Sequence, residues 1–142
     1  MSTQATSFYL GPTPPPAPGV YPGSSKAWLL RENQQAYLFQ NQAITAGQSS
    51  IAVQLERIRT ASYPWGVSFA IWFAANPGAF QVDVQTADLD QDSQFVTIAS
   101  LTGGLNASNV GRVELPSFWA KFARVKLVSI GNAVNSSVLV TR

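Results

Sequence analysis

Gly66-Val-Ser-Phe-Ala-Ile-Trp-Phe73 and Ala79-Phe-Gln-Val-Asp-Val-Gln-Thr86, joined across Asn76-Pro77-Gly78, decide the fold of this chain. Side chains on a strand point alternately to opposite faces. In the first stretch this period puts Val67, Phe69, Ile71 and Phe73 on one face, with Ser68, Ala70 and Trp72 on the other. Its near-continuous apolarity suits a central strand. The second stretch alternates cleanly, with Phe80, Val82 and Val84 inward and Gln81, Asp83 and Gln85 outward. Asn-Pro-Gly is turn chemistry, because Pro fixes one backbone angle and Gly frees the next.

The same pattern extends in both directions. Ala36 to Gln40 reads as a short strand, and Ile51 to Ile58 as another, with Ile51, Val53 and Leu55 on one face. Asp88 to Ser93 is a polar turn before a strand from Phe95 to Leu101, and Gly103-Gly104 opens a loop through Asn109. Val110 to Leu115 stops at Pro116. Phe122 to Ile130 places Val125 and Leu127 inward and Lys126 outward, and Val134 to Val140 closes the series after Gly131-Asn132. Short segments at regular spacing, divided by turn residues, predict an all-β antiparallel sandwich of about eight or nine strands. Jelly-roll topology is the first expectation and an immunoglobulin-like arrangement the second. Ala27 to Gln35 is expected as a short helix, and Ser117 to Phe122 as a single helical turn. Phe69, Phe73, Phe80 and Phe95 are expected in the core.

The first 25 residues break the pattern. Gly11-Pro12-Thr13-Pro14-Pro15-Pro16-Ala17-Pro18-Gly19 and Tyr21-Pro22-Gly23 favour extended polyproline geometry and supply few backbone donors. The chain therefore divides into an extended Pro/Gly-rich arm, 1–25, and a β-sandwich domain, 26–142. Phe8, Tyr9, Leu10, Val20 and Tyr21 read as partner-binding anchors on the arm that order on assembly. Trp65 and Trp119, at strand edges, are weaker partner-binding candidates.

Composition narrows the function. The 142 residues suit one domain, with 46% hydrophobic residues but only 11% charged, against about 25% in typical domains. A weakly charged surface favours association, so partners are expected to cover much of it. Net charge is +2 and the basic residues form no block, which argues against nucleic acid as a partner. No apolar run is long enough to span a bilayer, and Met1 to Ser7 lacks a signal-peptide pattern. The chain has neither Cys nor His, which removes thiolate chemistry, the commonest general base and the commonest zinc ligand.

Remaining chemistry is thin. Asp88, Asp90 and Asp92 have the alternate spacing of a calcium loop. Yet Ser93 and Ala99 stand where an EF-hand needs Gly and Glu, and turn capping explains the aspartates better. Nothing in the sequence brings Asp83 and Glu114 together as a glycosidase pair. No nucleophile elbow or phosphate loop is present. Asn106-Ala-Ser108 and Asn135-Ser-Ser137 match the glycosylation sequon, which matters only in a secretory compartment. The expectation is no enzyme, no catalytic residues, no cofactor and no bound metal.

From about Tyr63 onward the chain resembles small virion proteins of tailed bacteriophages. Gly78 to Asp92, with Gln85-Thr-Ala-Asp88 leading into Phe95-Val-Thr-Ile98, resembles their strand-turn unit. Phe122-Ala-Arg-Val-Lys-Leu127 resembles a phrase of their C-terminal strands. The resemblance carries no catalytic signature. It implies a head decoration (cement) protein on the virion capsid surface, made in the bacterial host cytoplasm. The implied partners are the major capsid protein and further copies of itself, as a homodimer or homotrimer, with no membrane partner. A tail, neck or fibre-attachment component and a carbohydrate-binding module are the alternatives.

Overall fold

Among the described residues the chain forms nine strands. They are β1 (Trp28–Leu30), β2 (Gln35–Ala43), β3 (Val53–Leu55), β4 (Val67–Phe73), β5 (Phe80–Ala87), β6 (Val96–Leu101), β7 (Val110–Leu115), β8 (Phe122–Ile130) and β9 (Asn135–Thr141). The computed structural model describes residues 28–30, 34–55, 66–115 and 120–142. The expected arm, 1–25, lies outside the described residues, as do the last three residues of the expected Ile51–Ile58 strand and the first three of the expected helical turn Ser117–Phe122, whose remaining residues are not helical because Phe122 already begins β8. Among the described residues the only helical element is a single 3-10 turn, Asp92–Gln94.

The strands form two sheets, a five-stranded one in the order β1-β3-β8-β5-β6 and a four-stranded one in the order β2-β9-β4-β7. Every pairing is antiparallel except β1 with β3. The ladders are nested: β2 pairs β9, β3 pairs β8, β4 pairs β7 and β5 pairs β6. Successive nested pairs alternate between the two sheets, so the sheets pack face to face as a β-sandwich.

The deciding stretch behaves as its period requires. Val67, Phe69, Ile71 and Phe73 are all buried, and Ser68, Ala70 and Trp72 between them are half-buried. β4 is central, flanked by β9 and β7. Opposite it, Val82 and Val84 of β5 and Val125 and Leu127 of β8 close the core from the other sheet. Phe73 and Phe80 bridge the layers with ring centroids 5.0 Å apart. Each such side chain contributes about 1.5–3 kcal/mol on full burial.

Two expectations are corrected. The helix expected over Ala27 to Gln35 is not formed by its described residues: Trp28–Leu30 is a strand beside β3, and Gln35 already begins β2. Ala, Leu, Arg, Glu and Gln favour helix locally, but edge pairing of Leu30, buried against the core, overrides that preference. Phe95 is not in the central core. It packs with Ala52 and Phe122 in a separate cluster, and those two residues lie on the outer side of the five-stranded sheet.

Candidate functional site

β5 has a second face, and it carries the richest polar chemistry of the described residues. Alternation turns Gln81, Asp83 and Gln85 away from the core. The ladder register sets Asp83 between Ser100 of β6 and Lys126 of β8, and Gln85 between Thr97 and Arg124. A bulge makes this possible. Val84 pairs with Ala99 but Gln85 pairs with Thr97, so Ile98 is the extra residue. Without that shift Thr97 and Ser100, three apart, would point to opposite faces.

The side chains form one hydrogen-bonded chain. Asp83 accepts from Gln81 Nε2 at 2.9 Å, Ser100 Oγ at 2.7 Å and Thr97 Oγ1 at 3.1 Å. Thr97 Oγ1 accepts from Gln85 Nε2 at 3.3 Å, and Gln85 Oε1 accepts from Arg124 Nε at 2.9 Å. Arg124 Nη1 then donates to Asp92 at 2.7 Å. Asp83 and Gln85 point outward yet are each only 8% exposed, because their polar neighbours cover them. Burial alone would raise the Asp83 pKa. The three hydrogen bonds and the nearby Lys126 charge outweigh it, and the carboxyl is held below its ordinary value.

Arg124 is fixed from several sides. Its guanidinium lies 4.0 Å from the centroid of the Phe95 ring, a cation–π contact, and Phe95 rests on Phe122 and Ala52. Beside it opens a cleft of about 550 Å³ lined by Gly47, Ser49, Ser50, Asp92, Arg124 and Lys126. The segment from Gly47 to Ser50 forms its wall by bonding along β8: Gly47 N–H donates to Leu127 O, Leu127 N–H to Gln48 O, and Val125 N–H to Ser50 Oγ. Asp90, near the same guanidinium, has a raised pKa: burial is the largest cause, the Arg124 charge opposes it, and the Asp92 charge adds a smaller rise. The arrangement suits holding a fixed cation at the sheet surface.

The opposite outer face has a different character. β2, β9 and β4 contain no Asp, Glu, Lys or Arg. Tyr37, Leu139 and Ala70 lie in register across these three strands on the outer side. Tyr37 meets Trp72 edge-on, with centroids 5.8 Å apart and planes at 70°. The charges of this sheet, Arg112 and Glu114, sit on β7, with nitrogen and oxygen 3.7 Å apart.

Of the residues singled out in the sequence, Phe8, Tyr9, Leu10, Val20, Tyr21, Trp65 and Trp119 all lie outside the described residues. Asp83 and Glu114 are not brought together: one is in the five-stranded sheet and the other in the four-stranded sheet, each on the outer side. Among the described residues no three metal-ligating side chains converge, and Asp92 of the acidic turn is paired with Arg124. Trp72 was legible, since its parity opposes Phe69 and Phe73. The Arg124–Phe95 stack was not, because it depends on strand register across distant segments. No family model matches the chain, and neither does any curated protein or solved structure.

Proposed function

We propose that this chain is a non-enzymatic structural protein of a virion, a head decoration protein that binds across major capsid protein subunits and stabilises the shell. The observation that carries the reading is the uncharged outer face of β2, β9 and β4, with Tyr37 and Trp72 paired on it. Interface cores are depleted in charge and enriched in aromatic residues. Such a face suits permanent cover more than exposure to water.

The nested ladders support a jelly roll over an immunoglobulin-like sandwich, because first pairs with last and each inner pair follows in turn. The resemblance to small tailed-phage virion proteins points the same way. A protein that binds only the assembled lattice adds its binding free energy to that state. Anchors on the arm, among Phe8, Tyr9, Leu10, Val20 and Tyr21, would raise avidity through a tethered second contact.

Leu139→Glu places a charge at the centre of the uncharged face, between Tyr37 and Ala70 and outside the core. Binding to shells stripped of the protein should weaken at least about tenfold, equivalent to about 1.4 kcal/mol. Undiminished binding by this variant, shown folded by its thermal transition, removes this face from the reading.

A further inference from the structure

The sandwich has four sheet edges, and three are blunted. β1 is only three residues long. β2 is bent by two register shifts, against one for β6, and by a left-handed residue, Asn41 at φ 47°. β7 exposes Arg112 and Glu114. β6 differs: Val96-Thr-Ile-Ala-Ser-Leu101 contains no charge and no Pro, and its strand-forming residues suit further pairing. Val96 is 60% exposed and Ile98 45%, with Leu89 nearby in sequence at 54%. β5 lies on one side of it, and no other strand pairs with it among the described residues. The β6 bulge projects Ile98 without covering the free edge.

We propose that β6 is an assembly edge whose occupant is the segment Ser2 to Leu10 from a neighbouring copy of this chain, added as a further strand. The observations are complementary. Ser2 to Leu10 is the part of the first 27 residues before the Pro-rich run that keeps every backbone N–H, and it ends in Phe8, Tyr9 and Leu10. No charged side chain precedes Lys26, so neither Ser2 to Leu10 nor β6 carries a charged side chain that must be desolvated. The chain enters the five-stranded sheet at β1, the edge opposite β6. Four strand spacings, about 19 Å, separate the two edges, and the seventeen residues from Gly11 to Ala27 span up to about 56 Å if extended, enough to carry Ser2 to Leu10 past one sandwich to a neighbour's β6. The contact joins unlike surfaces, and repeated by rotation it closes a ring of copies. It needs no capsid, so its failure leaves the decoration reading standing.

The absence of Cys makes a cross-linking test clean. Ile98→Cys sits on an exposed bulge, outside the core. Full-length Ile98→Cys protein is mixed with full-length Phe8→Cys or Tyr9→Cys protein, whose side chains point opposite ways on a strand. Mild oxidation is followed by non-reducing electrophoresis and peptide mass spectrometry. Arg112→Cys on the β7 edge serves as the background partner. At least one arm variant should link to Ile98→Cys at a rate about tenfold or more above Arg112→Cys, as expected for a site of high effective concentration. Predominant Ile98→Cys self-linking would mean edge-to-edge pairing and overturn the proposal. So would a rate no higher than background. A double variant carrying both cysteines that closes only within one chain would also overturn it.

Discussion

Asp83 shows how a single outward residue can be structural. Burial opposes its charge, but three donors and Lys126 hold its pKa below the ordinary carboxylate value. A depressed folded-state pKa contributes stability that is present above the unfolded value, about 3.9, and lost as pH falls through the folded value. Asp83→Asn should therefore be less stable than the parent near neutral pH, by about 1.5–3 kcal/mol, since hydrogen bonds to a charged acceptor are worth about that much. The gap in urea midpoint should shrink as pH falls below the ordinary carboxylate range; a gap that is constant with pH would assign the loss to packing instead. Arg124 acts through three contacts of which the ion pair is the least, because Asp92 is 97% exposed. Asp92→Ala should change stability by less than about 1 kcal/mol. Arg124→Ala uncovers Phe95 and leaves Gln85 short of a donor, at a cost of about 1–3 kcal/mol, measurable by chemical denaturation.

At the scale of elements, β4 carries the core, and Phe69 at its centre is fully buried. Phe69→Ala should cost about 3–5 kcal/mol, read as a fall in the denaturation midpoint; a loss below 1 kcal/mol would mean the site collapses around the smaller residue. The strands β4 to β9 were legible in the sequence because a period of two on a half-buried sheet is written directly in residue type. β1 was not, since helix-favouring residues became a strand only through contact with β3, distant in sequence. The outward face of β5 was legible as polar but not as buried. Its cover depends on a bulge at Ile98 and on Arg124, which lies almost forty residues along the chain. Gly111 marks a similar long-range fit. A Cβ there would lie 2.7 Å from Leu101 Cδ2 and 2.9 Å from Leu105 Cδ2, so the missing side chain lets these leucines close the side of the sandwich between β6 and β7.

For the whole molecule, charge is distributed by face. One sheet gathers Asp83, Arg124 and Lys126 into a fixed polar network, while three adjacent strands of the other carry none. That division, with the Pro-rich sequence of residues 1–25 and one uncharged strand edge, is what the proposed role as a building part rests on. The central claim is placement on a viral shell, and its most direct test is the ratio of this protein to the major capsid protein in purified particles, measured by quantitative mass spectrometry. We predict a copy number comparable with that of the capsid subunits; a small fraction of that number would place the protein at the neck or tail, and absence from the particle would contradict the account.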